Sequence, residues 1–384
     1  MRVALDLTFA GRNPTGAGIY SRELLAALRR RAATAPLDQA SPLVVAGFGP
    51  AAHPPPARGL GALRALALED PLATHVWLPL RLLPWRPAIV HSTAFVGPLW
   101  GPGRLVVTVY DTIFRHFPED YNPLWLRNIN TFLPLTLRRA RAIICISEAT
   151  RADLLRAYRV PPGKVHIVPV GLSPAYLTPI SLVAVAAVRA RYDLAEPYVL
   201  HAGALVGRKN LPLLVRAFGR YVAESGDSTT RLVLTGGEAR LMKGATALKE
   251  AISRSPVRDR VRLLGHVPPA DLPILYAGAA LLAYPTLYEG AGLPPLEAMA
   301  VGTPTLVSTT LAVRETVGDA ALLADPTDEA AWAAGLRRGL QDAGLRAALI
   351  AAGRRHAAAF TWDRCAARTL AIYRQLLKGE AGDR

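Results

Sequence analysis

Pro285-Thr286-Leu287-Tyr288-Glu289-Gly290-Ala291-Gly292-Leu293-Pro294-Pro295-Leu296-Glu297-Ala298-Met299-Ala300-Val301-Gly302-Thr303-Pro304 is the stretch that decides how the rest of the chain is read. It follows a short apolar run, 280–283, of strand length. Gly290, Ala291 and Gly292 then make a loop with almost no side-chain bulk. Pro294 or Pro295 falls in the first turn of a helix, where the missing N–H costs nothing. A strand, a small-residue loop and a helix start form a cradle for an oxyanion. Backbone N–H groups can come close, and the helix N-terminus adds positive potential. Glu289 lies in the loop and Glu297 one turn into the helix. Two carboxylates beside such a cradle would repel a diphosphate, so they are expected to face hydroxyls: those of a ribose and of a sugar. Two glutamates at this spacing without the loop would simply be solvated.

Outward from this stretch, short apolar runs alternate with helix-spaced ones. In the second half strands are expected at 198–202, 231–235, 261–264, 280–283 and 304–308. Helices are expected at 211–224, 245–253, 272–277 and 295–301. In the first half strands are expected at 3–7, 42–48, 88–91, 105–110, 142–147 and 165–170. A helix at 21–31 carries Leu24, Leu25 and Leu28 on one face. Alternation of this kind builds parallel sheets covered by helices on both faces. The expected class is α/β, with two doubly wound, Rossmann-like domains facing a central cleft. The first would span 1–177 and the second 178–360. A last amphipathic helix in 361–384, with Ala366, Leu370, Tyr373 and Leu377 on one stripe, would cross back to the first. The stretch 171–197, with Pro174, Pro179 and Pro197, reads as a hinge, and 49–61 as a Pro/Gly-rich loop. Ligands of such sheets sit beyond the carboxyl ends of the strands.

With 384 residues, 51% of them apolar and 19% charged, the chain can build two cores and does not belong to the disordered class. No apolar run reaches the ~18 residues of a membrane span. The start lacks the apolar core of a signal peptide, so a cytoplasmic protein is expected. Cys145 and Cys365 are too few for a disulfide framework, and no Cys/His cluster has zinc spacing. The net charge is +16, and only five of the 45 basic residues are lysines. Residues 1–180 hold 20 basic and 10 acidic residues, so the first half is the more basic. Compositional bias accounts for this as well as an anionic partner does. Phosphates or an anionic membrane surface fit such a partner; nucleic acid does not, because no zinc finger, RRM or basic-zipper pattern is present. The stretches 78–86, 125–127 and 137–141 mix arginines with apolar and aromatic residues. Such faces lie on anionic lipid, or are ordinary amphipathic helices with solvated arginines.

Taken together, the string 285–304 resembles the E-x7-E region of retaining glycosyltransferases of the GT-B fold, the group 1 type that includes bacterial glycogen synthases and phosphatidylinositol mannosyltransferases. The likeness runs on through His201-Ala-Gly203-Ala-Leu-Val-Gly-Arg208-Lys209-Asn210, similar to that group's Gly…Arg-Lys-Asn loop. It continues through Thr235-Gly236-Gly237, Gly265-His266-Val267, residues 106–112, Ile146-Ser147-Glu148, Pro169-Val-Gly171 and Phe360-Thr-Trp362, in order along nearly the whole chain.

The resemblance implies a hexosyltransferase using a UDP- or GDP-activated sugar, with a glycan, a lipid-linked sugar or a small molecule as acceptor. No cofactor is implied, the nucleotide sugar being substrate. Glu297 would hold the ribose hydroxyls and Glu289 would contact the transferred sugar. The backbone of Gly290, Ala291, Gly292 and Leu293 would bind sugar hydroxyls and phosphate. Arg208 and Lys209 would grip the diphosphate, neutralising the charge that builds as the glycosidic bond breaks. Gly203, Gly236, His266 and Val267 would complete the donor side. The loop 11–20, with Gly16 and Gly18, resembles the family's glycine-rich loop over the diphosphate. Read alone, its Gly-x-Gly would suggest a dinucleotide site, but its glycines come late after the strand and no acidic residue ends the second strand.

Three positions depart from the pattern or stay open. Tyr110 stands where a histidine is common, and can donate a hydrogen bond but carry no positive charge near neutrality. Asp111 either orients its neighbours in catalysis or caps a helix. Ala291 replaces the usual Phe. Tyr110 is assigned to the acceptor side together with His91, which is expected at a strand end facing the cleft and otherwise reads as a plain structural histidine. No Asp-x-Asp occurs, so no metal site is expected. A nucleotide-sugar 2-epimerase on the same scaffold and a catalytically silent sugar-nucleotide-binding protein are the alternatives.

Overall fold

The computed structural model describes residues 1–8, 16–34, 43–48, 71–237 and 244–378. The chain forms two compact units, Met1–Gly171 with Thr361–Arg384, and Leu172–Phe360. The first contains β1 (Arg2–Asp6), α1 (Gly16–Ala33), β2 (Val44–Phe48), α2 (Leu78–Trp85), β3 (Ile89–Ser92), β4 (Arg104–Val109), α3 (Ile113–His116), α4 (Pro123–Arg139), β5 (Ala142–Cys145), α5 (Glu148–Ala157) and β6 (Val165–Ile167). Its strands form one parallel sheet in the order β2-β1-β3-β4-β5-β6. Ile89, Val90, Leu105, Val106, Val107, Ile143 and Ile144 are all buried. Continuous apolar runs of this kind are what a parallel sheet needs when helices cover both faces. Local signals set the helix starts. Asn122 accepts the Leu124 N–H ahead of α4, and Ser147 accepts the Thr150 N–H ahead of α5.

The second unit contains α6 (Pro174–Leu177), α7 (Leu182–Arg191), β7 (Tyr198–Ala202), α8 (Leu211–Ser225), β8 (Arg231–Thr235), α9 (Gly244–Arg254), β9 (Val261–Gly265), α10 (Leu272–Gly278), β10 (Leu281–Tyr284), α11 (Leu293–Val301), β11 (Thr305–Ser308), α12 (Leu311–Val317), β12 (Leu322–Ala324), α13 (Glu329–Gln341) and α14 (Ala343–Ala357). Its parallel sheet runs β9-β8-β7-β10-β11-β12. The direction of winding therefore reverses between β7 and β10, the place where doubly wound sheets bind ligands.

The last helix, α15 (Trp362–Lys378), belongs to the first unit. Trp362 packs edge-on to Tyr20, with centroids 5.6 Å apart. The two strands of chain that pass between the units run side by side. Leu172 N–H donates to Phe360 O at 2.9 Å, and a Cβ on Gly171 would stand 2.3 Å from Trp362 N.

The structure corrects several expected boundaries. The stretch 171–197 is largely helical, not a bare hinge. Pro174 opens α6, and Tyr176, Val188 and Leu194 are buried in the core of the second unit. The strands expected at 142–147 and 165–170 end at Cys145 and Ile167. The loop 49–61, the first part of the strand at 42–48 and residues 11–15 of the glycine-rich loop lie outside the described residues. Sequence periodicity missed α12, β12, α13 and α14; for the last two, alanine on every face of 329–357 blurs the apolar stripe.

Candidate functional site

At the reversal point β7 and β10 lie in register, Leu281 beside Val199 and Leu282 beside Leu200. Both strands run out into loops that carry charge. The loop after β7 makes one tight turn, Gly207–Lys209, and delivers Arg208 and Lys209 to the start of α8. The loop after β10 delivers Glu289 to the start of α11. The two loops are tied by Leu287 N–H donating to Arg208 O at 2.8 Å.

Glu289 Oε1 receives Arg208 Nη1 at 2.5 Å and Lys209 Nζ at 2.6 Å, and Thr286 Oγ1 lies 2.9 Å from the same oxygen. Lys209 also donates to the Tyr284 hydroxyl at the end of β10. Its side chain is only 6% exposed and that of Glu289 11%. Burial by itself would raise the Glu289 carboxyl, but Lys209 and Arg208 overcome it and hold the group down at about 2. Burial lowers Lys209 to about 8, with Glu289 working against the shift. Two cations share one carboxylate, so these three side chains sum to +1 in a largely dry setting, which favours the approach of an anion.

Glu297 sits on α11, below the loop. It receives the Tyr276 hydroxyl on Oε2 at 3.1 Å and also a hydrogen bond from Tyr176. Burial raises its carboxyl to about 7 against those two donors. The two glutamates of the string are thus driven in opposite directions, one by cations and one by desolvation.

Gly292 precedes α11 at φ 74, a left-handed conformation open to glycine. Thr316 donates to Ala291 O from α12 and fixes the loop. Leu293 begins the helix, whose first N–H groups have no partner within it. Gly203 and Gly236, at the ends of β7 and β8, have φ of 139 and 142. A Cβ on Gly236 would stand 1.9 Å from Gly203 O, so close backbone approach demands glycine there. His266 is exposed after β9, whereas Val267 is buried in the core cluster that holds Tyr276. Neither side chain joins the charged cluster.

In the first unit, Gly16 opens α1 and is exposed, and Gly18 is buried. Tyr110 donates to Thr93 O and packs edge-on to Tyr20 and Phe95. Asp111 Oδ1 accepts the Ile113 N–H at 3.0 Å just ahead of α3, whose N-cap is Thr112. His91 needs correction. It has no exposed surface, and its ring nitrogens lie 2.6 Å from the Tyr373 hydroxyl and 2.8 Å from Thr108 Oγ1. Burial pulls it down to about 3, so it stays neutral. One nitrogen ties the strand to α15 and the other pairs with Thr108 on β4, which leaves none for an acceptor. Sequence reasoning missed Tyr284, Thr286, Tyr176, Tyr276 and His201. The one legible signal was His201, a polar residue inside an otherwise apolar strand.

Comparison with known proteins agrees with this architecture. Residues 14–176 match the family described as Glycosyltransferase Family 4, and residues 189–356 the one described as Glycosyl transferases group 1. The chain is 33% identical over 276 residues to O-antigen chain mannosyltransferase B of Escherichia coli, covering 71% of each chain. In fold it is similar to sucrose-phosphate synthase from Thermosynechococcus elongatus, with TM-score 0.73 and 22% identity over 99% of this chain and 100% of that one. It is likewise similar to the Anabaena protein HepE in complex with UDP-glucose, with TM-score 0.69 and 18% identity over 97% and 100%. The class is that of two-domain GT-B proteins. Within it, the chain belongs to the group 1 glycosyltransferases, and its activity is the transfer of a sugar.

Proposed function

We propose that this protein is a retaining hexosyltransferase that moves a mannosyl- or glucosyl-like group from a UDP- or GDP-activated sugar to a glycan, lipid-linked or small-molecule acceptor in the cytoplasm. The observation that carries the reading is the net-positive Arg208–Lys209–Glu289 cluster at the β7/β10 reversal. A leaving diphosphate supplies the missing negative charge. As the bond to the sugar breaks, charge grows on the diphosphate, and Arg208, Lys209 and the start of α11 stabilise it where it develops. Glu297, once ionised, accepts the ribose hydroxyls. Glu289 holds the two cations in place and offers its carboxylate to the transferred sugar. The relatives support a sugar of this kind: one is a mannosyltransferase, and a structural neighbour was captured with UDP-glucose.

In this reading Arg208, Lys209 and the helix start take the place of a metal ion at the diphosphate, and the reaction runs without a metal or a cofactor. A thermal-shift screen against UDP, GDP, ADP and their sugars tests the reading. A ligand at 100 times its dissociation constant adds about 2.7 kcal/mol to the unit that binds it. No shift with any of them, or transfer abolished by a chelator, overturns it.

The first unit is proposed to rest on an anionic membrane surface. Its support is a row of exposed apolar side chains, Leu72, Val76, Leu80 and Leu83, beside Arg81. No helix among the described residues is long and apolar enough to cross a membrane. Absence of co-sedimentation with anionic liposomes at low salt removes this part.

A further inference from the structure

His201 is the fourth residue of β7 and has no exposed surface. A polar side chain in that position should have both ring nitrogens paired. Nδ1 stands 3.1 Å from Ala283 O on the neighbouring strand. A carbonyl can only accept, so Nδ1 carries the proton and Nε2 presents a lone pair. The ring stacks on Tyr284, with centroids 5.6 Å apart and planes within 14°, which fixes the direction of Nε2. Nε2 is buried and has no hydrogen-bond partner among the described residues.

What Nε2 faces is given by Gly203. The point where a Cβ would stand on Gly203 is 3.9 Å from His201 Nε2 and 3.6 Å from Lys209 Nζ and Cε, so these two side chains border it. The ammonium has three N–H groups, and Tyr284 and Glu289 take two. The space in front of Gly203 is therefore bounded by a donor on one side and an acceptor on the other. A phosphate oxygen would serve Lys209 but would set negative charge against the lone pair of His201. Only an oxygen that both donates and accepts satisfies the two groups, which means a hydroxyl or a water. Burial pulls His201 down to about 3, with Lys209 adding to the shift, so the ring remains an acceptor throughout the neutral range.

We propose that His201 is a specificity-determining residue, and that its Nε2, together with Lys209, receives a hydroxyl of the transferred sugar in the space over Gly203. This rests on the nucleotide-sugar reading above and goes one step further. The third N–H of Lys209 reads the sugar, while its positive charge acts through space, beside Arg208, on the adjoining diphosphate.

Titration calorimetry with two ligand pairs, UDP against UDP-glucose and GDP against GDP-mannose, tests this on wild type, His201→Phe and His201→Gln. Phe keeps the ring stack and the bulk but has no lone pair; Gln returns an acceptor oxygen near the position of Nε2. For the pair that wild type binds, His201→Phe should weaken the nucleotide sugar about tenfold, as expected when a hydroxyl loses its acceptor. The bare diphosphate should stay within about twofold, and His201→Gln should recover part of the loss. If both variants weaken diphosphate and sugar alike, His201 is only a packing residue and the proposal falls. If neither ligand changes, a water fills the space, and it falls as well. If wild type binds neither pair, the nucleotide-sugar reading itself is wrong, a different outcome from either.

Discussion

Lys209 Nζ and Glu289 Oε1, 80 residues apart in sequence, stand 2.6 Å from each other, and Arg208 reaches the same oxygen at 2.5 Å. Removing the carboxylate leaves two neighbouring cations uncompensated where little water reaches. Glu289→Ala should therefore cost roughly 3 kcal/mol of stability, the scale for breaking a buried pair, read by denaturant unfolding of the unit that contains it. Glu289→Gln should tighten bare diphosphate binding, since an anion now meets both cations, while sugar transfer falls. Weaker diphosphate binding in Glu289→Gln would contradict the charge argument.

Lys209→Met keeps the length of the side chain and removes its charge. If Lys209 meets the developing charge of the leaving group, turnover should drop about 10²–10³-fold, as for other single electrostatic contacts of this kind. KM for the donor should change much less, because the interaction strengthens as the bond breaks. Steady-state kinetics separate the two; a loss confined to KM would make Lys209 a simple binding group.

The opposed shifts of the two glutamates give a pH signature. Nucleotide affinity should climb as Glu297 ionises through pH 7, by about tenfold per pH unit on the acid side. It should fall again beyond pH 8 as Lys209 loses its proton. Glu297→Gln should flatten the acid limb. Stability moves the other way. The folded carboxyl, at about 7 against 4.5 for an ordinary glutamate, holds its proton more tightly than the unfolded chain does. The fold therefore loses stability as pH rises through that window and stays lower above it. Melting curves should show Glu297→Gln more stable than wild type at pH 8 and no different at pH 4.

Much of this site was legible in the sequence because its parts are local. The small-residue loop, the prolines of the first helical turn and the Arg-Lys pair each declare themselves within a few residues. What joins them is not local. The Glu289 carboxylate chooses its partners across two strands that touch only because the sheet reverses between them, and no spacing in the chain encodes that. The same holds for Glu297: burial, not its place in the chain, lifts it to a group titrating near neutrality, and Tyr276 and Tyr176, which donate to it and oppose that shift, come from distant segments. His91 shows the converse: of the two readings the sequence leaves open for it, acceptor side or plain structural histidine, its buried contacts fit the second. A histidine at a strand end looks available, and only the arrival of Tyr373, 282 residues later, takes up its second nitrogen.

That contact can be tested on its own. Tyr373→Phe removes one hydroxyl between two buried groups and leaves a His91 nitrogen unpaired. It should cost about 1–3 kcal/mol in the first unit, measured by urea unfolding. Diphosphate binding, proposed for the second unit, should be unchanged.

The pairing of Leu172 with Phe360 has an architectural consequence. A segment whose two ends are stitched to each other can be excised from its host with a single pair of cuts and closed again with a very short linker. In this chain that segment holds Arg208, Lys209, Glu289, Glu297 and His201 together. Nature, or an engineer, can thus exchange this whole cassette while leaving the flanking sheet and its C-terminal helix untouched.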